Sequence, residues 1–148
     1  MKIFEVTQNK KHYLSLLLLA DEQEDMIDRY LERGRMYVLD DNGIKCECVV
    51  TDEGEGVLEI KNIATDPEFQ GKGYAKKIID FIVEKYREEY EVLEVGTGDS
   101  PLTVPFYEKC GFVRSRVHEN FFTDNYDHPI YEAGILLRDM IYLRKSLK

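Results

Sequence analysis

The sequence predicts an α/β (α+β) fold in which strands and helices alternate along a single domain, residues 1–148. Three observations carry this. A β-like run, Val57–Ala64, leads to the glycine-containing turn Gln70-Gly71-Lys72-Gly73-Tyr74-Ala75. After that turn, apolar residues fall at Ala75, Ile78, Ile79, Ile82, Val83 and Tyr86, the spacing of one helix face. Upstream, Asp41-Asn42-Gly43 between two apolar runs is a hairpin signal.

The elements follow in order. Lys2–Val6 reads as a strand and Lys11–Ala20 as a helix. Asp21–Arg33 is expected as a second helix, because Met26, Ile27, Tyr30 and Leu31 share a face and Gly34 suits its stop. Arg35–Leu39 and Ile44–Val50 are the strands of the hairpin. Asp52-Glu53-Gly54-Glu55-Gly56 is a turn leading into the Val57–Ala64 strand. A long helix spans about residues 73–88, then Glu91–Gly96 is a strand and Thr103–Cys110 a helix. Pro105 lacks an N–H and so belongs in the first turn of that helix. Phe112–Glu119 and Ile135–Leu143 close the chain as strands.

Composition bounds the function. The chain is 43% hydrophobic and 33% charged, which suits a globular protein able to bury a core. The longest apolar run, Leu16–Ala20, is far too short for a membrane span, and no N-terminal signal pattern is present. A cytoplasmic location and no membrane partner are therefore expected. A net charge of −9 disfavours nucleic acid and favours cationic ligands such as amines, polyamines or basic peptides. Three cysteines make no disulfide framework; Cys46 and Cys48 share one strand face. His12, His118 and His128 are scattered, so no metal-ligand spacing appears.

The turn at Gly71 and Gly73 carries the chemistry. A helix start leaves N–H groups unpaired and partially positive, and glycines let a phosphate approach the backbone. The pattern is not a Walker A loop, since Gly73 is followed by Tyr74-Ala75 instead of Lys-Ser/Thr. It is not a dinucleotide fingerprint either, since Lys76 stands where a third glycine would be needed. Downstream lies Phe106-Tyr107-Glu108-Lys109-Cys110-Gly111-Phe112, with Phe106 and Cys110 on one helix face. Gly111 suits a left-handed position after the helix, with Phe112 folding back as its apolar partner.

Together the two segments resemble the coenzyme A pyrophosphate loop, Gln/Arg-x-x-Gly-x-Gly/Ala, and the later Tyr-Glu-Lys-x-Gly-Phe element of the GCN5-related N-acetyltransferase (GNAT) superfamily. The motifs cover roughly residues 57–115, and the element order extends the resemblance along the chain. It implies the GNAT acyl-CoA N-acyltransferase fold, a mixed, mostly antiparallel central sheet with helices on both faces. It also implies acetyl-CoA as acyl donor. By position, the pantetheine arm would pair with Ile63, Ala64 and Thr65, and Gln70, Gly71, Lys72, Gly73, Tyr74 and Ala75 would hold the pyrophosphate. Lys72, Lys76 and Lys77 either add charge near the phosphates or are ordinary solvated lysines. Where relatives carry a coenzyme-contacting asparagine, this chain has Asp99 or Ser100.

Tyr107 matches the tyrosine that acts as general acid toward the coenzyme sulfur, the alternative being a helix tyrosine packed on the sheet. Glu59 lies where some relatives place a base. Partial burial would raise its pKa, although alternation puts Val57, Glu59, Lys61 and Ile63 on one face, where Glu59 could instead pair with Lys61. The stretch His118–Gly134 is long for a loop and mixes aromatics with Asp124, Asp127 and Glu132. With Tyr126 and Asp139 it would suit a cationic acceptor; the alternatives are a loop packed on its own aromatics or a homodimer contact. The implied activity is transfer of an acetyl group to a primary amine of a small molecule or peptide. The competing function is a non-catalytic acyl-CoA-binding sensor.

Overall fold

A computed structural model describes all 148 residues. In chain order the elements are β1 (Lys2–Val6), α1 (Leu14–Ala20), α2 (Glu24–Ile27), β2 (Arg35–Asp40), β3 (Ile44–Gly54), β4 (Val57–Thr65), α3 (Tyr74–Tyr86), β5 (Val92–Gly98), α4 (Val104–Lys109), β6 (Val113–His118), α5 (Phe121–Asn125), β7 (Tyr131–Glu132), β8 (Ile135–Leu136) and β9 (Met140–Ser146). Side-chain alternation along β2 and β3 makes two cores. Met36, Val38 and Val49 turn to one face, where Leu17 of α1 and Ile27 of α2 pack. Tyr37, Leu39, Cys46, Cys48 and Val50 turn to the other, under Ile78, Ile79 and Ile82 of α3 and Val104 and Tyr107 of α4.

The main sheet has the order β1-β2-β3-β4-β5-β9-β6. Every neighbouring pair is antiparallel except β4 with β5. This is the expected mixed, mostly antiparallel sheet with helices on both faces. The parallel pair is short: Val57 to Ile60 meet Val92 to Val95, and beyond that the two strands separate. A bulge sits at the parting point. Val50 pairs with Ile60 and Val49 with Asn62, leaving Lys61 without a partner.

The bulge corrects the alternation expected for β4. Ile63 opposes Cys48 and packs with the α3 core, whereas Glu59 opposes Thr51 on the reverse face. Several element bounds also differ from expectation: α1 begins at Leu14 after a 3-10 turn over Lys10–Tyr13, and β3 runs on to Gly54, so the turn before β4 is tighter than Asp52–Gly56. The second helix is regular only over Glu24–Ile27, although Met26, Ile27, Tyr30 and Leu31 are buried as their spacing predicts. Residues 28–33 form tighter turns, because the buried Lys10 ammonium takes the Leu31 carbonyl at 2.9 Å and the Gly34 carbonyl at 2.7 Å. The final strand runs over Met140–Ser146 instead of Ile135–Leu143. Ala133 and Gly134 both have positive φ (51° and 74°), which folds β7 against β8 as a small hairpin. The end of α4 is as expected. Gly111 has φ 95°, its N–H donates to Glu108 O and that of Phe112 to Tyr107 O, both at 3.0 Å.

Glu47 of β3 is fully buried, and neither carboxylate oxygen has a hydrogen-bond partner. Burial pushes its carboxyl well above the usual glutamate range. The unfolded chain releases this proton above about pH 4.3, while the folded chain retains it. Stability must then fall as pH rises from the unfolded toward the folded pKa, by at most about 1.4 kcal/mol per pH unit. Glu47→Gln removes the titration. Its Tm is expected to exceed that of the parent at pH 8, with the gap narrowing toward pH 5; a gap independent of pH would contradict a neutral Glu47.

Candidate active site

Where β4 and β5 part, a cleft of about 660 Å³ opens. Ile63, Ala64 and Thr65 line it, and their edge toward β5 has no partner strand. The opposite wall comes from Val95 to Gly98 of β5 and from Thr103, Phe106 and Tyr107 at α4. An extended chain lying in the split can pair with the open edge of β4 as an added strand would.

The glycine turn forms one end. Gly71 and Gly73 have φ +80° and +83°, and a Cβ at either would meet nothing within 4 Å. Glycine is thus required there by the backbone conformation and by close approach from the cleft, not by packing. The N–H groups of residues 71–76 make no hydrogen bond; the first bond of α3 runs from Lys77 N–H to Gly73 O at 3.0 Å. Six free donors at the start of a thirteen-residue helix suit a pyrophosphate. Gln70, Gly71, Gly73, Tyr74 and Ala75 line the cleft, and Lys72 instead stands near Phe69, 5.5 Å from the ring centre. Tyr74 anchors the turn by donating to Asp41 Oδ2 at 2.7 Å.

Tyr107 is 6% exposed and stacks edge-on to Phe106 and Phe112 at 5.2 and 5.6 Å. It lines the cleft, and burial raises its hydroxyl above the ordinary tyrosine value, so it is protonated at neutral pH. Glu59 is placed differently. It is 6% exposed, bonded to Lys61 at 3.0 Å, and outside the cleft wall, whereas Lys61 is part of it. Burial raises the Glu59 carboxyl to about 7, with Lys61 opposing the shift. Asp99 and Ser100 are also outside the wall. Asp99 faces Arg114 at 3.7 Å, and Ser100 Oγ accepts the Leu102 N–H at 3.0 Å.

The far end of the cleft is built from the end of α1 and the segment after β6. Tyr126 lines it. Asp127 and Asp139 do not: Asp127 bonds His128 at 2.6 Å, and Asp139 accepts the Asn120 N–H at 2.8 Å. Carboxylates that do line this end are Asp21, Glu22 and Glu132, joined by Asn62 of β4. Asp21 was read as the first residue of a helix and Asn62 as an ordinary strand position, so no local signal marked them. They meet because the later loop docks on α1. Tyr126 donates to Asp21 at 2.6 Å, Asp127 N–H to Gln23 at 3.0 Å, and His128 meets Glu22 at 2.9 Å.

A split between parallel strands with a free-amide turn at its mouth is the architecture of an acyl-CoA-dependent acyltransferase. The family model of the acetyltransferase (GNAT) domain matches residues 32–114. An uncharacterised N-acetyltransferase of Bacillus subtilis strain 168, YvbK, is 37% identical over 135 residues, covering 89% of this chain and 87% of its own. A GNAT family acetyltransferase from Elizabethkingia anophelis, solved with acetyl-CoA bound, superposes at TM-score 0.92 with 35% identity, covering 98% of this chain and 97% of the other. A Bacillus subtilis acetyltransferase in complex with CoA superposes at TM-score 0.90 with 33% identity over 99% of both chains. The chain belongs to the GNAT acetyltransferase family.

Proposed function

We propose that the protein transfers the acetyl group of acetyl-CoA to the nitrogen of a cationic primary amine by direct attack on the thioester. The observation that carries this reading is the place of Tyr107, on the cleft wall between the free amides of the glycine turn and the acidic far end. The relatives with acetyl-CoA or CoA bound support the donor.

Acetyl-CoA supplies the thioester carbonyl that the amine attacks. The backbone of residues 71–76 holds the pyrophosphate, and Ile63 to Thr65 align the pantetheine arm along β4. Tyr107, kept neutral by burial, donates its proton to the departing sulfur. Glu59 holds Lys61 in place and does not itself reach the acceptor. Glu59→Gln is accordingly expected to keep kcat within about threefold of the parent, well short of the loss that removal of a general base brings.

The test is calorimetric titration with acetyl-CoA, ATP and NAD, followed by thiol release with a panel of primary amines. Selective acetyl-CoA binding and amine-dependent thiol release are expected. Binding without release for any amine would favour a sensor, and absence of binding would remove the reading altogether.

A further inference from the structure

Resting on that reading, we propose that the acceptor is a short diamine or polyamine, with its reacting nitrogen at Glu132 and its second ammonium at Asp21. Glu132 and Asp21 both line the cleft. Glu132 is half-buried on the wall that Tyr107 also lines. Glu132 has no ion-pair partner, and half-burial lifts its carboxyl above the usual range against an opposing hydrogen bond from Ser100.

Asp21 is built as a binding carboxylate. Tyr30 and Tyr126 donate to its two oxygens at 3.0 and 2.6 Å, fixing its orientation. Arg29, whose charge is felt at Asp21, donates to Asn125 at 3.2 Å, and Asp21 on the cleft wall has no ion-pair partner. Asn62, 3% exposed, lies on the same wall. Its Nδ2 donates to Leu17 O and to the Tyr30 hydroxyl, both at 3.0 Å, and its Oδ1 has no partner. Asp21, Glu22, Glu132 and the unpartnered Asn62 Oδ1 thus give this end a surplus of acceptors, the complement of an ammonium group, while the one ammonium nearby in sequence, that of Lys61, is paired with Glu59. Phe122 and Tyr126, stacked at 5.7 Å, present an apolar wall for the methylenes between the two nitrogens.

The step balances. One proton of the reacting ammonium passes to Glu132 and then to solvent. The C–N bond forms as the C–S bond breaks. Sulfur takes the Tyr107 proton, and the second proton lost by nitrogen restores it.

The experiment compares thiol release for diaminopropane, diaminobutane and diaminopentane with that for the matched monoamines, at saturating acetyl-CoA. It is run on the parent, Asp21→Asn and Glu132→Gln, with acetyl-CoA affinity and Tm measured for each. The parent is expected to favour a diamine by about tenfold or more in kcat/KM. Asp21→Asn should raise KM for the diamines by about tenfold and so erase that preference. Glu132→Gln should lower kcat for both classes by about a hundredfold and flatten the acidic limb of the pH profile, with acetyl-CoA affinity retained. Equal use of diamines and monoamines by the parent overturns this proposal while the acetyltransferase reading stands. A preference that survives Asp21→Asn, or an undiminished kcat in Glu132→Gln, overturns it too. Acetyl-CoA binding with no turnover of any amine overturns both.

Discussion

Replacing Tyr107 with Phe is expected to lower kcat by about a hundredfold or more, the scale of a lost general acid. The protein should otherwise be unaffected. The hydroxyl takes no part in the hydrogen bonds of the fold, and the ring contacts with Phe106 and Phe112 survive the substitution. Tm should therefore hold, and KM for acetyl-CoA should change little, because the proposed donor contacts lie at the glycine turn and along β4. Loss of kcat at constant KM is the signature of an interaction made only in the transition state. A variant that keeps a third of the parent kcat would show that sulfur leaves without this proton and that Tyr107 is a packing residue.

Replacing Gly73 with Val acts on binding. Gly73 precedes α3 at φ +83°, a conformation that costs a β-branched residue about 1–2 kcal/mol. No protein atom lies within 4 Å of the added Cβ, so the fold absorbs that strain without a clash. The methyl groups instead enter the space above the free amides, where a phosphate must approach. Calorimetry is expected to show acetyl-CoA affinity weakened by at least about thirtyfold, equivalent to about 2 kcal/mol, with Tm lowered by only a few degrees. Unchanged affinity would move the pyrophosphate site away from this turn.

The same two residues show how far local sequence reaches. Gly73 and the helix after it were legible because φ, free amides and helical periodicity are decided within a few residues. Tyr107 was legible because α4, its glycine stop and Phe112 form one continuous segment. For Glu59 the sequence leaves a base or a partner of Lys61 open, and the Lys61 pair at 3.0 Å is what forms. Its strand was correctly found, but the bulge at Lys61 breaks the alternation, and a bulge is set by the partner strand.

The acceptor end escaped the sequence for a deeper reason. Tyr126 binds an aspartate 105 residues away, and His128 a glutamate 106 residues away. Asp127 and Asp139, prominent as acidic residues beside aromatics, are spent on local contacts within the loop. Glu132 is among the loop carboxylates expected to suit a cation, and it does line the cleft; Asp21 and Asn62 carry no pattern of their own and join it only once β4 and β5 separate and the loop after β6 docks on α1. Strand order, helix faces and the phosphate turn follow from neighbours along the chain. The depth of the cleft, the burial that keeps Tyr107 neutral and the gathering of carboxylates on the cleft wall follow from neighbours in space, which only the packed sheet supplies.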